Sequence, residues 1–153
     1  MNFVIAAVGR MRPSPEQTLI ESYIKRMPWA VDVREVDVRG KADATAQTKQ
    51  ETEGLQAAIP PGAKVVCLDS RGKSLDSEAF ANRLGQWRDD GEQNVALVIG
   101  GADGLDASIT ERADLVVAFG AVTWPHMLTR VLVAEQLYRA HCILTGHPYH
   151  RGH

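Results

Sequence analysis

The sequence predicts an α/β fold, a mostly parallel sheet flanked by helices. Three observations carry that expectation. Short runs rich in β-branched residues recur at 3–8, 64–69, 95–99 and 115–119, each too short for a helix and bounded by glycine or polar residues. Longer stretches with apolar residues at helical spacing lie between them, the alternation that strand–helix–strand crossovers require. No repeat, low-complexity tract or long linker interrupts the 153 residues, so 1–153 read as a single domain.

The elements follow in order. Residues 3–8 are an apolar run ending at Gly9, a buried first strand. Ser14 or Pro15 opens a helix that carries Leu19, Tyr23, Ile24 and Met27 and stops near Pro28, because proline disfavours helix in the residue before it. Val33, Val36 and Val38 mark a second strand. Residues 41–58 are polar until Leu55 and Ala58, an exposed helix closed by Pro60-Pro61-Gly62. Residues 64–69 form the third strand, followed by the loop Ser70-Arg71-Gly72-Lys73-Ser74. Asp76 or Ser77 caps a helix with Phe80, Leu84 and Trp87 on one face. Residues 95–99 run into Gly100-Gly101-Ala102-Asp103-Gly104, a short helical stretch spans 106–113, and 115–119 are the fifth strand. Thr123-Trp124-Pro125-His126 leads into a helix to about Leu144, stopped by Gly146 and Pro148. Parallel sheets bind ligands in loops beyond the strand C-termini, which selects residues 68–73, 100–104 and 120–126.

Composition narrows the classes. No apolar run approaches the ~20 residues of a membrane helix, and the opening run lacks a basic leader and cleavage site, so it reads as a strand. A cytoplasmic protein without a membrane partner is expected. Cys67 and Cys142 fall in a strand and a helix, where cysteine serves as small apolar filler; two cysteines alone make no zinc site, and no metal is expected. The net charge of −2 argues against indiscriminate nucleic-acid binding. Its distribution is more informative. Residues 1–125 hold 14 Lys/Arg against 18 Asp/Glu, whereas 126–153 hold Arg130, Arg139 and Arg151 against Glu135 alone, with all five histidines.

Several segments carry candidate chemistry. The Gly100–104 turn can admit a ligand close to bare backbone N–H groups, or can be a tight turn only; it is neither GxGxxG nor a phosphate loop. The helix from His126 is apolar around nearly its whole circumference, which calls for burial on all sides and points to a partner subunit on one face, or else to burial within the one chain. Glu135 and Arg139 are spaced i,i+4 as an ion pair. Arg130 has no carboxylate at i±3 or i±4, which points to an anion contact or to an interface pairing. The tail Gly146-His147-Pro148-Tyr149-His150-Arg151-Gly152-His153 should fray by default, yet Tyr and His stack on bases and Arg contacts phosphate.

Three separated motifs then carry a resemblance over the whole chain. They are Leu68-Asp69-Ser70-Arg71-Gly72-Lys73, Val98-Ile99-Gly100-Gly101-Ala102-Asp103-Gly104-Leu105, and residues 123–150 (TWPHMLTRVLVAEQLYRAHCILTGHPYH). Together with Val4-Ile5-Ala6-Ala7-Val8-Gly9 they resemble the ribosomal RNA large-subunit methyltransferase H family of SPOUT methyltransferases. The resemblance implies a homodimer with a C-terminal trefoil knot, a feature that general rules against knotted chains would not suggest. It implies S-adenosylmethionine-dependent methylation of N3 of a pseudouridine in large-subunit rRNA, on the assembled ribosome. It assigns Leu68, Gly101, Ala121, Val122, Thr123, Trp124, Pro125 and His126 to the cofactor, with Trp124 either touching the cofactor or packing beneath the knot. Arg139 would stabilise the developing anion on the base, Glu135 would orient Arg139 or take the proton, and Tyr149 or His150 would hold the base. The alternatives are methylation of another RNA such as tRNA, and a non-catalytic ribosome-binding factor.

Overall fold

The computed structural model describes residues 1–38, 40 and 43–152. Five strands are present among them: β1 (Asn2–Val8), β2 (Ala30–Val36), β3 (Lys64–Ser74), β4 (Asn94–Ile99) and β5 (Leu115–Ala118). They pair in parallel in the order β2-β1-β4-β3-β5. The helices are α1 (Pro15–Arg26), α2 (Ala44–Ala58), α3 (Ser77–Asp89), α4 (Ala107–Thr110) and α5 (His126–Thr145), followed by a 3-10 turn, Pro148–Gly152.

Handedness decides which face each helix covers. The steps β1 to β2 and β3 to β4 run one way across the sheet, and β2 to β3 and β4 to β5 run the other. Right-handed crossovers must then put α1 and α3 on one face and α2 and α4 on the opposite face. The two buried clusters match. Phe3, Ile5 and Ala7 of β1 pack with Phe80, Leu84 and Trp87 of α3 and Leu137 of α5. Val4, Ala6 and Val8, pointing the other way, pack with Leu55 of α2 and Ile109 of α4. Alternate residues of β1 thus feed both layers, which is why its run is apolar throughout.

Side-chain caps set the helix starts. Ser14 accepts from the Gln17 N–H, Asp43 from Ala46 and Asp76 from Ala79. The second helix therefore begins after Asp43; Lys41 and Ala42, expected at its start, lie outside the described residues, as do Arg39 and the tail's last histidine, His153. β2 ends at Val36, short of Val38, and the helix expected over 106–113 is a single turn. Gly146 closes α5 in the left-handed conformation, φ 73°. Cys67 and Cys142 are buried and unbonded, and burial pushes the Cys67 thiol up to about 12.

Three expectations need correction. The loop expected at 70–74 is the far part of β3: Leu68 and Lys73 both pair with Val117, so residues 69–72 arch between them. Gly72 permits this, since a Cβ there would lie 2.7 Å from the Val116 and Val117 backbone. The chain itself buries much of α5, with Val133, Ala134, Leu137, Tyr138, Ala140 and Cys142 all enclosed, because α1 and α3 flank it. A partner is thus not needed for most of that helix, although Leu128 stays 38% exposed and Val131 and Leu132 are half-buried. From Pro148 to Gly152 the tail is a 3-10 turn that folds back on α5.

Candidate active site and cofactor cavity

Two groups of residues stand out, and one chain does not bring them together. The first lies beyond the C-terminal ends of β3, β4 and β5, where parallel sheets hold ligands. A cavity of about 460 Å³ is lined there by Leu68, Asp69, Gly101, Gly104, Val122 and Trp124, among others. Leu68, Gly101, Val122, Thr123, Trp124 and His126 all face it. Ala121 and Pro125 flank them without lining it; the Pro125 carbonyl instead accepts the Thr129 N–H at 3.0 Å, starting α5.

The rim is built by backbone economy. The Gly104 N–H donates to the Gly101 carbonyl at 3.1 Å. A Cβ on Gly100 would lie 2.7 Å from the Gly104 carbonyl oxygen, and Gly104 has φ 77°. The Gly-rich segment is thus both a tight turn and a cavity wall. Trp124 is not packed away. Its indole N–H donates to the Phe119 carbonyl at 2.9 Å while the ring stays 42% exposed.

Asp69 and Arg71 join two of these loops, a role the sequence did not reveal. The Arg71 guanidinium donates from Nε and Nη2 to the two Asp69 oxygens, each at 2.9 Å, and from Nη2 to the Leu105 carbonyl at 3.3 Å. The hydrogen bond from Arg71 holds the Asp69 carboxyl below the usual carboxylate range, against the effect of burial. The only signal was the D-x-R spacing within a recognised string.

The second group lies further along α5. Arg139 donates from Nε to Glu135 Oε1 at 2.9 Å, and its Nη2 lies 2.7 Å from the same oxygen. The Tyr149 hydroxyl donates to that oxygen at 3.1 Å, and the Gln136 amide to Glu135 Oε2 at 2.8 Å. Arg139 Nη1 lies 3.2 Å from His150 Nδ1, which makes Nδ1 the acceptor and leaves the ring proton on Nε2. His150 Nε2 in turn lies 3.5 Å from Glu78. Arg139 also stacks 4.8 Å over the Tyr149 ring. Burial alone lowers the Arg139 pKa, but the hydrogen bond and charge of Glu135 outweigh it and hold the guanidinium above its ordinary value. Burial, with Tyr23 and Glu135 beside it, pushes the Tyr149 phenol up, so it stays a donor. The i,i+4 spacing foretold only the Glu135–Arg139 pair; Tyr149, His150, Glu78 and Tyr23 arrive by folding.

This quartet can present a fixed cation and a phenol to a planar anion. It stands about 14–20 Å along α5 from His126, at ~1.5 Å per residue. Arg130, by contrast, is engaged within the chain. It is buried and bonded to Glu35 and to the carbonyls of Val8 and Gly9.

The family model described as "Predicted SPOUT methyltransferase" matches residues 1–150. The chain is 52% identical over 151 residues to a Ribosomal RNA large subunit methyltransferase H of Rhodospirillum centenum, and 50% identical to one of Paramagnetospirillum magneticum, each covering 99% of both chains. In fold it is similar to a probable methyltransferase of Bordetella pertussis, with TM-score 0.59 and 17% identity over 90% of this chain and 95% of that one. It is also similar to a tRNA (m1G37) methyltransferase of Aquifex aeolicus, with TM-score 0.52 and 12% identity over 91% of this chain and 69% of that one.

Proposed function

The chain belongs to the SPOUT methyltransferases, within the ribosomal RNA large subunit methyltransferase H family, and from that premise we propose that it methylates N3 of a pseudouridine in large-subunit rRNA on the assembled ribosome. The observation that carries this reading is the ordered quartet Glu135, Arg139, Tyr149 and His150 in a chain that also holds an adenosyl-sized cavity.

The cavity suits S-adenosylmethionine. Its volume falls in the ~300–1,000 Å³ range of small-molecule sites. Leu68, Val122 and Trp124 supply apolar walls, and the Gly-rich turn and the 120–124 segment offer backbone groups for an adenine edge. When bound, the cofactor supplies an electrophilic methyl on a sulfonium. The protein's task is to hold N3 in line with that methyl while the N3 proton passes to solvent water. Arg139, a fixed cation in a partly closed site, stabilises the negative charge that develops on the base. Glu135 accepts three donors, so it serves to orient Arg139 and not to take the proton. Tyr149 and His150 hold the base.

The gap along α5 gives a second subunit its role. Leu128, Val131, Leu132, Glu135 and Arg139 follow helical spacing, a stripe that runs from the cavity end of α5 to the quartet. We infer that a homodimer covers this stripe and brings one chain's quartet to the other's cavity. The arch at 69–72, pressed on β5 through Gly72 and tied to Leu105 through Arg71, supports the reading of a knotted C-terminal half. The protein then works in the cytoplasm, where ribosomes are.

The test uses ribosomes from a strain lacking this gene. Nucleoside mass spectrometry should find one methylated pseudouridine in large-subunit rRNA after incubation with enzyme and cofactor. Arg139→Ala should lower kcat by roughly 100-fold and leave cofactor affinity, read by calorimetry, within about twofold. Methylation of tRNA alone, or ribosome binding without methylation, would reject the reading.

A further inference from the structure

Neither group of residues above uses the loop between β1 and α1, yet the fold holds it firmly. Arg130 reaches from α5 to the end of β1. Its Nη2 donates to the carbonyls of Val8 at 3.0 Å and Gly9 at 2.6 Å, and its Nη1 to Glu35 at 2.6 Å. The same Glu35 oxygen accepts the Met11 N–H at 2.7 Å. Arg130 is 2% exposed, and its Nε is buried without a partner among the described residues. Burying a cation is costly even when it is paired, so the arrangement calls for a reason. Its effect is to join α5, β1 and β2 at the root of one loop.

That loop presents Arg10 and Arg12. Both are exposed, and neither has a hydrogen-bond or ion-pair partner among the described residues. Both line one cavity of about 590 Å³ with Met11, Pro13 and Asp37. The loop also adjoins the proposed site: a Cβ on Gly9 would lie 3.8 Å from His126 Nε2, and His126 lines the cofactor cavity.

We propose that Arg10 and Arg12, on the platform fixed by the Arg130–Glu35 pair, are a phosphate-docking surface for the RNA substrate. The proposal rests on the reading of an RNA methyltransferase. Guanidinium forks match phosphate oxygens in a bidentate way, and a loop already ordered loses little freedom on contact. Phosphate contacts fix register and orientation without reading sequence. An enzyme with net charge −2 needs such local contacts to bring one base to its cavity.

The deciding experiment is steady-state methylation of unmethylated ribosomes by an Arg10→Ala/Arg12→Ala variant, from about 50 to 200 mM salt. The KM for ribosomes should rise by on the order of tenfold, with kcat within about twofold. The slope of log KM against log salt should fall by roughly one to two, as expected for two lost phosphate contacts. Cofactor affinity by calorimetry and the thermal midpoint should stay at wild-type values, because neither side chain has a partner among the described residues. An unchanged KM, with wild type active, overturns the docking surface and leaves the proposed reaction standing. A raised KM with an unchanged salt slope also overturns it and points to a protein contact. A wild-type enzyme that leaves rRNA unmethylated overturns both readings.

Discussion

Asp69 shows how one buried carboxylate can hold a cavity in shape. Its side chain is 5% exposed and receives two guanidinium bonds and the Arg71 backbone N–H. Arg71 then reaches the Leu105 carbonyl, which ties the arch within β3 to the turn after β4. Because Arg71 lowers the Asp69 pKa on folding, the ionised group stabilises the fold above the ordinary carboxylate pKa of about 4. That contribution disappears as pH falls through the lowered folded-state value. Asp69→Asn should therefore lower the urea midpoint at neutral pH, with the difference from wild type closing in acid. Calorimetry at pH 7 should find weaker cofactor binding by the same variant. Glu135 is engaged in a comparable way, by Arg139, Tyr149 and Gln136, which is why orientation is the role proposed for it.

At the scale of elements, the contact between β3 and β5 sets the cavity's floor. Gly72 lies against the Val116–Val117 backbone with no room for a methyl group. Backbone cannot rotate aside as a side chain can, so Gly72→Ala must push the arch off β5. The expected cost is about 1–3 kcal/mol in chemical denaturation, together with weaker cofactor binding. Gly85 is a useful contrast. A Cβ there would meet only the tip of the Leu144 side chain, which can turn away, so Gly85→Ala should unfold within about 1 kcal/mol of wild type.

At the scale of the whole molecule, the two halves of the proposed site are set apart, the cavity at the start of α5 and the quartet further along it, and a dimer would join them across subunits. Arg139→Ala damages the quartet, and Val122→Arg fills and charges the cavity wall while leaving the quartet intact. Each variant alone should be nearly inactive. Mixed in equal amounts and allowed to exchange subunits, they should regain about a quarter of wild-type activity, since half of the dimers then carry one intact site. No recovery, in samples that sedimentation identifies as exchanged dimers, would assign each active site to a single chain.

How much of this was legible follows physical lines. Apolar periodicity, capping residues and glycine stops act within a few residues of chain, and they located each strand and α-helix among the described residues, with boundaries shifted at β2, β3 and α4 and the 3-10 turn at Pro148–Gly152 not foreseen. The resemblance named six residues that line the cavity, Leu68, Gly101, Val122, Thr123, Trp124 and His126, and two that do not, Ala121 and Pro125, while helical spacing named the Glu135–Arg139 pair. What the sequence did not disclose were contacts between distant positions. Arg130 looked unpaired because its partners, Glu35, Val8 and Gly9, lie about a hundred residues away. The tail looked free because nothing local marks Tyr149 as a donor to Glu135. The arch at 69–72 looked like an ordinary loop because only β5, folded against Gly72, makes it a strand. The sequence by itself determined the elements, their faces and the residue types of the site. Only the tertiary structure decided which charges meet, because pairing across the fold depends on distances that no local pattern encodes.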